Sequence, residues 1–91
     1  MSKKTAKFNP DSIDQLPNNK PVIYKIQTAG GNNNYTGVAK RGRVNDRIKE
    51  HLGKIPGASV QIEQMSSIDE ALKKEANIIS RSKPKYNIKG K

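Results

Sequence analysis

The chain has 91 residues, with 18 lysines and arginines against 8 aspartates and glutamates, and a formal net charge of +10. A chain of this length forms one small domain with a single thin core. The sequence has no cysteine and one histidine, which excludes disulfides, thiol catalysis, cysteine-based metal sites and sites built from several histidines.

The positive charge favours a polyanionic partner, because each phosphate neutralised by lysine or arginine releases counterions. Most of the charge lies in residues 21–91, the part expected to fold. A solvated surface that only confers solubility is the alternative interpretation. No apolar run approaches the roughly 18 residues of a membrane span, and the N-terminus lacks the apolar stretch of a signal peptide. We therefore expect a soluble, cytoplasmic protein that does not bind membranes.

The first elements follow from composition. Residues 1–20 carry lysines, prolines and adjacent asparagines, which predicts a basic flexible arm with at most one short turn over residues 11–16. Residues 22–26 are β-branched and aromatic, a pattern typical of a strand. A run of glycine and asparagine separates them from a second strand over residues 35–39, which indicates a hairpin.

The second half of the chain predicts two helices and one strand. Asn45 is the expected N-cap of a short helix over about residues 46–52, ending at Gly53. Residues 59–64 alternate with period two, as half-buried strands do. Ser67 and Glu70 form a capping-box pattern before a helix that runs to about Arg81. The order strand, strand, helix, strand, helix predicts an α+β domain over residues 21–91.

Glu75 is the most informative single residue of the last helix. Ile68, Leu72, Glu75 and Ile79 share one helical face, which predicts a carboxylate in the middle of a buried stripe. A desolvated carboxylate neutralises, pairs or binds a metal. A hard cation such as Mg²⁺ needs only one or two carboxylates besides water and substrate phosphates. The alternative is a glutamate at the edge of the stripe that reaches solvent or pairs with a lysine.

Two further pairs of residues carry chemistry. Arg47 and His51 lie one turn apart, where arginine can grip a phosphate and histidine can move a proton. The alternative is that the arginine is solvated and the histidine structural, which is the more frequent case for each. Tyr24 and Tyr35 lie on the two hairpin strands and share a sheet face if the register allows; core packing is the alternative for both. A tyrosine acting as a base needs a nearby cation or metal.

Basic residues cluster in the loop after the hairpin and near the C-terminus. The loop after the hairpin carries Lys40, Arg41 and Arg43, which either contact phosphate or form a solvated turn. The C-terminal stretch carries Lys83 and Lys85. Asn87 follows Tyr86 there, and a backbone cap is its ordinary role.

In their order and spacing, these segments resemble the GIY-YIG nuclease family: Val22-Ile23-Tyr24, Tyr35-Thr36-Gly37, Arg47 to His51, Glu75 and Tyr86-Asn87. The resemblance implies a small three-stranded antiparallel sheet flanked by helices, and hydrolysis of phosphodiester bonds in DNA. Two positions depart from the family pattern, since Val22 stands where the family usually has glycine and Thr36 occupies the middle of the second motif.

The resemblance also assigns roles. Glu75 would hold one Mg²⁺ or Mn²⁺, and Tyr24, helped by Tyr35 or His51, would activate the attacking water. Arg47 would stabilise the transition state and Asn87 would brace the site. Because the loop before Arg47 is slightly long, Arg41 or Arg43 are alternatives for the catalytic arginine.

Three functional hypotheses follow. The first is a metal-dependent DNA endonuclease whose minimal catalytic domain stands alone, with Lys40, Arg41, Arg43, Lys83 and Lys85 as DNA-binding residues. The second is a non-catalytic basic nucleic-acid-binding module of the same fold. The third is an accessory protein that binds a protein partner. For the endonuclease, a protein partner or a homodimer is an open route to target selection.

Overall fold

The structure, a computed structural model, describes residues 3–82. The elements of this part of the chain are β1 Lys3–Lys7, α1 Pro10–Asp14, β2 Val22–Gln27, β3 Asn33–Ala39, α2 Val44–Lys49, β4 Ser59–Gln64 and α3 Ile68–Ser82. The four strands form one antiparallel sheet in the order β1-β4-β2-β3. The α+β class is therefore confirmed. None of the helices in residues 3–82 is long and apolar enough to cross a membrane.

The N-terminal segment differs from its prediction. β1 pairs with β4 along its whole length, from Lys3 opposite Glu63 to Lys7 opposite Ser59, so the sheet has a fourth strand and residues 3–7 are not a flexible arm. α1 follows, and Ile13 is fully buried. Almost all side chains of β1 are exposed, so its sequence shows no alternation of apolar and polar residues that would predict a strand. Pairing with β4 stabilises this strand, because the intrinsic strand propensity of its residues is low.

The sheet has two unequal faces. One face carries the main core, in which side chains of β2 and β4 pack against α1 and α2: Ile13, Leu16, Val22, Tyr24, Ile26, Ala39, Val44, Ile48, Ile55, Val60 and Ile62. The other face carries a smaller cluster beneath α3, formed by Ile23, Met65 and Ala71 with Val38 and Ile78. The edge of β3 is thus flanked by α2 on one face and by α3 on the other.

α2 begins in a different way from the one predicted. Asn45 lies inside the helix, and its side-chain amide donates to the Ile13 carbonyl at 2.6 Å. The Oδ1 atom of Asn18 accepts from the Val44 backbone N–H at 2.8 Å. A residue distant in sequence therefore supplies the cap, and Asn45 ties α2 to α1. The helix ends at Lys49, and turns continue to Gly53, whose φ of +79° suits glycine.

The start of α3 agrees with its prediction. Ser67 Oγ accepts from the Glu70 backbone N–H at 3.2 Å, and the Glu70 carboxylate accepts from the Ser66 backbone N–H, also at 3.2 Å. The Ser66 hydroxyl also donates to this carboxylate, and this bond, together with the one from the Ser66 backbone N–H, lowers the pKa of the Glu70 carboxyl. Ser67 thus satisfies the Glu70 amide, which the first turn would otherwise leave unpaired, whereas the Glu70 carboxylate bonds to Ser66 and not to the Ser67 N–H that a capping box uses.

Candidate active site

Three rings meet beside the hairpin. The register places Tyr24 opposite Gly37 and Ile26 opposite Tyr35, so both tyrosines project from the same sheet face. Their ring centroids lie 6.1 Å apart, and the His51 ring lies 4.6 Å from that of Tyr35. The Tyr24 hydroxyl is hydrogen-bonded to His51 Nε2 at 2.8 Å. The structure therefore joins the two hairpin tyrosines to the histidine that follows α2.

Gly37 makes this cluster possible. A Cβ atom added at Gly37 would lie 2.6 Å from the Tyr24 hydroxyl oxygen and 2.9 Å from the Tyr35 ring. Both distances are shorter than Cβ contacts in proteins permit. The glycine of the second motif is therefore required by the close approach of the Tyr24 side chain to β3, and not by a special backbone angle.

Burial is the main cause of the shifted pKa values of Tyr24 and His51. Tyr24 is fully buried, and desolvation raises the pKa of its phenol well above the usual range, with Tyr35 adding to the rise and Arg47 opposing it. Desolvation and the positive charge of Arg47 lower the pKa of His51 below its ordinary value. At neutral pH the pair is therefore a protonated phenol beside a neutral imidazole.

An open cleft of about 440 Å³ lies at the edge of β3, between the loop leading into α2 and the first turns of α3. Tyr35 of β3, Arg47 of α2 and Glu75 of α3 all line it. The complete lining is Tyr35, Gly37, Val38, Lys40, Arg43, Arg47, Ile68, Leu72 and Glu75. The cleft thus combines aromatic, cationic and carboxylate side chains that come from separate parts of the chain.

The prediction that Glu75 lies in a buried stripe is wrong. The residue of α3 that is fully buried is Ala71, whereas Leu72 is 48% exposed and Glu75 is half-buried. α3 packs on the sheet through the face that holds Ala71 and Ile78. The stripe of Ile68, Leu72 and Glu75 instead borders the cleft, because α3 lies beside the edge of β3 and only part of its apolar surface is covered.

The three candidate arginines are not equivalent. Arg43 and Arg47 line the cleft, whereas Arg41 lies in a neighbouring hollow. The Arg47 guanidinium is 3.5 Å from the Glu50 carboxylate, and both side chains are about half exposed. An exposed ion pair of this kind contributes about 0–1 kcal/mol. Arg47 can therefore exchange Glu50 for a phosphate at little cost.

The carboxylate in the cleft fits a hard cation. Within residues 3–82 there is no group of three or more histidines, aspartates and glutamates that could form a metal cage. Mg²⁺ does not require a cage, since it retains several waters and takes further oxygens from substrate phosphates. Glu75 would supply the protein oxygen of such a site. Asn87, Lys83 and Lys85 lie outside the described residues.

Sequence reasoning missed the apolar wall of the cleft, formed by Val38, Ile68 and Leu72. The signal was present, because Ile68 and Leu72 share a helical face with Glu75. The periodicity cannot tell a stripe that packs against the sheet from one that borders an open cleft.

No protein-family model and no curated protein matches this chain. The functional argument therefore rests on the residues of the cleft and on the three-ring cluster behind it.

The His51 pKa can be measured directly, because the chain has a single histidine. We expect its imidazole signals, followed by NMR from pH 4 to 9, to titrate below the ordinary value of 6.5. Arg47→Gln is expected to raise that pKa, since it removes a nearby positive charge, whereas Arg41→Gln leaves it unchanged. A wild-type pKa above 6.5 would contradict the burial of the ring.

Proposed function

We propose that this protein is a metal-dependent DNA endonuclease of the GIY-YIG type that hydrolyses phosphodiester bonds. The observation that carries the proposal is that Arg47 and Glu75 line one cleft at the edge of β3 together with Tyr35, whose ring packs against the hydrogen-bonded Tyr24 and His51 pair. These groups come from β2, β3, α2 with its following turn, and α3, so a local sequence preference does not explain their meeting.

Tyr24 and His51 act as one proton acceptor in this proposal. Because burial raises the pKa of the phenol, Tyr24 does not act as a free phenolate. It takes a proton from the attacking water while passing its own proton to His51 Nε2, which lies 2.8 Å away and is neutral at pH 7. Because Tyr24 is fully buried against Gly37 of the cleft lining, this step requires its hydroxyl to become accessible to water when the substrate binds.

The basic side chains of the cleft hold the DNA and stabilise the negative charge on the scissile phosphate. Arg47 binds the non-bridging oxygens of the scissile phosphate as negative charge accumulates there. Lys40 and Arg43 line the same cleft and contact flanking phosphates. Arg41 contributes to the same basic loop from the neighbouring hollow. Asn87 retains its role from the family resemblance, as a residue that braces the site.

Glu75 is the residue that would hold Mg²⁺ or Mn²⁺. The chemistry that such an ion supplies is stabilisation of negative charge on the scissile phosphate and on the leaving oxygen. Glu75 itself also raises the pKa of Tyr24 through its charge, so neutralising this carboxylate favours loss of the phenolic proton.

One observation favours a second candidate, a non-catalytic nucleic-acid-binding module. Tyr24 has no solvent-exposed surface, as expected for a tyrosine that serves the core alone. The two candidates differ in turnover and not in DNA binding.

Tyr24→Phe tests the proposal, because it keeps the packing of the ring and removes only the hydroxyl bonded to His51. We expect the wild-type protein to nick supercoiled plasmid with Mg²⁺ and the variant to do so about 100-fold or more slowly. The matched control is Tyr35→Phe, which leaves the Tyr24 and His51 hydrogen bond intact and should retain more activity. Equal cleavage by wild type and Tyr24→Phe would exclude the tyrosine as the proton acceptor.

A further inference from the structure

The sheet face that carries α3 is only partly covered by that helix. Cross-strand partners lie on the same face of a sheet, so the register gives three successive rows. The first row contains Lys3, Glu63 and Ile23, and Ile23 packs beneath α3. The next two rows extend away from it: Thr5, Gln61 and Lys25, and then Lys7, Ser59 and Gln27.

The two outer rows are polar, and their accessibility falls from β1 towards β3, where Thr36 opposite Lys25 is fully buried. Lys3 and Lys7 are exposed and Lys25 is half-buried. Lysines on an edge strand such as β1 ordinarily protect the strand from pairing with another chain. That explanation does not apply to Lys25, because β2 lies between β4 and β3 in the interior of the sheet. A half-buried lysine in the middle of an interior strand indicates that this part of the face reaches water.

The lysines on this face are not neutralised by acidic residues. Glu63 is the acidic residue in the three rows, and its carboxylate accepts from Lys74 Nζ at 2.5 Å. Among residues 3–82, no ion pair includes Lys3, Lys7 or Lys25. The face therefore has a positive charge that its own side chains do not balance.

The spacing of the lysines selects the kind of partner. Lys25 lies two strands and two residues from Lys7, which at about 4.8 Å between strands and about 3.3 Å per residue separates their Cα atoms by about 12 Å. Lys3 and Lys7 are about 13 Å apart along β1. One phosphate or carboxylate cannot bridge such distances. A polymer with regularly repeated charges can contact all three lysines.

We propose that this face, defined by Lys3, Lys7 and Lys25 with Thr5, Gln61 and Gln27 between them, binds the sugar-phosphate backbone of DNA outside the cleft. The inference rests on the proposed function, because it assigns a second contact to the same substrate. The lysines bind phosphates, and the intervening hydroxyl and amide groups donate to backbone oxygens. This second contact holds the DNA without reading its sequence.

Fluorescence anisotropy with a labelled 24-base-pair duplex tests the inference. It is performed in EDTA so that no strand is cut, over a series of salt concentrations. Loss of one phosphate contact reduces the slope of log Kd against log salt by about 0.9. We expect Lys25→Gln to reduce the slope by about 0.9 and Lys7→Gln/Lys25→Gln to reduce it by about 1.8, with weaker binding throughout. Lys7→Gln alone keeps the test valid if the Lys25 variant does not fold.

Lys54→Gln is the matched control, since it removes one exposed positive charge from the turns after α2, on the opposite side of the sheet. Its slope should equal that of the wild type. Slopes unchanged in both lysine variants, or an equal loss in Lys54→Gln, would overturn the inference, as would binding to polyglutamate in place of DNA. If the wild-type protein cuts no DNA but the two variants show the expected loss, the proposed function fails while this binding face stands.

Discussion

Glu75→Gln is expected to abolish metal-dependent cleavage of DNA while leaving DNA binding largely intact. The substitution keeps the size of the side chain and removes the charged oxygen that would hold the cation in the cleft that Arg47 also lines. Because such an ion stabilises transition-state charge by several kcal/mol, the rate of plasmid nicking should fall about 100-fold or more. Binding depends instead on the basic residues and should change little.

Asp69→Asn provides the control for this variant. Asp69 is an exposed acidic residue in the first turn of the same helix and does not line the cleft. It changes the net charge by the same amount as Glu75→Gln, so any general effect of charge on DNA affinity appears in both. A Glu75→Gln protein that cleaves at the wild-type rate would exclude Glu75 as a metal ligand.

Gly37→Ala is expected to disrupt the fold and the site together. The new Cβ would lie 2.6 Å from the Tyr24 hydroxyl oxygen, so the Tyr24 ring must move away from β3 and its hydrogen bond to His51 must lengthen or break. Because Tyr24 is fully buried in the main core, we expect the free energy of unfolding to fall by about 1–3 kcal/mol. Urea denaturation measures this loss, and the His51 pKa should also change.

Gly30→Ala is the comparison for Gly37→Ala. A Cβ at Gly30 would meet no atom closer than Thr28 Oγ1 at 3.9 Å, which is ordinary contact. The free energy of unfolding should therefore stay within about 0.5 kcal/mol of the wild-type value. If both alanine variants were equally stable, the packing of Tyr24 against Gly37 would be incorrect.

Elements with a clear period or a local cap were predictable from sequence. β4 covers the predicted residues 59–64, and Ser67 caps α3 as the pattern indicated. The failures involve partners distant in the chain. β1 is ordered by β4, and the α2 cap comes from Asn18. Such contacts form only after the chain has folded, so local propensity does not reveal them.

In the candidate site, too, local features were predictable from sequence, and contacts between distant parts of the chain were not. The hairpin predicted that Tyr24 and Tyr35 share a face if the register allows, and the register confirms it. Helical spacing grouped Glu75 with Leu72, but the sequence could not show that this stripe borders an open cleft. Nor could it show that Tyr24 is fully buried, because burial depends on α2 closing over the sheet face.

If the cleft at the edge of β3 cuts DNA, the wild-type protein itself must cleave a DNA substrate. Purified protein is incubated with supercoiled plasmid, branched DNA and single-stranded DNA, each with Mg²⁺, with Mn²⁺ or with EDTA. The account predicts cleavage of at least one substrate with Mg²⁺ or Mn²⁺ and none with EDTA. Intact DNA with all three substrates and both metals, or cleavage that persists in EDTA, would contradict it.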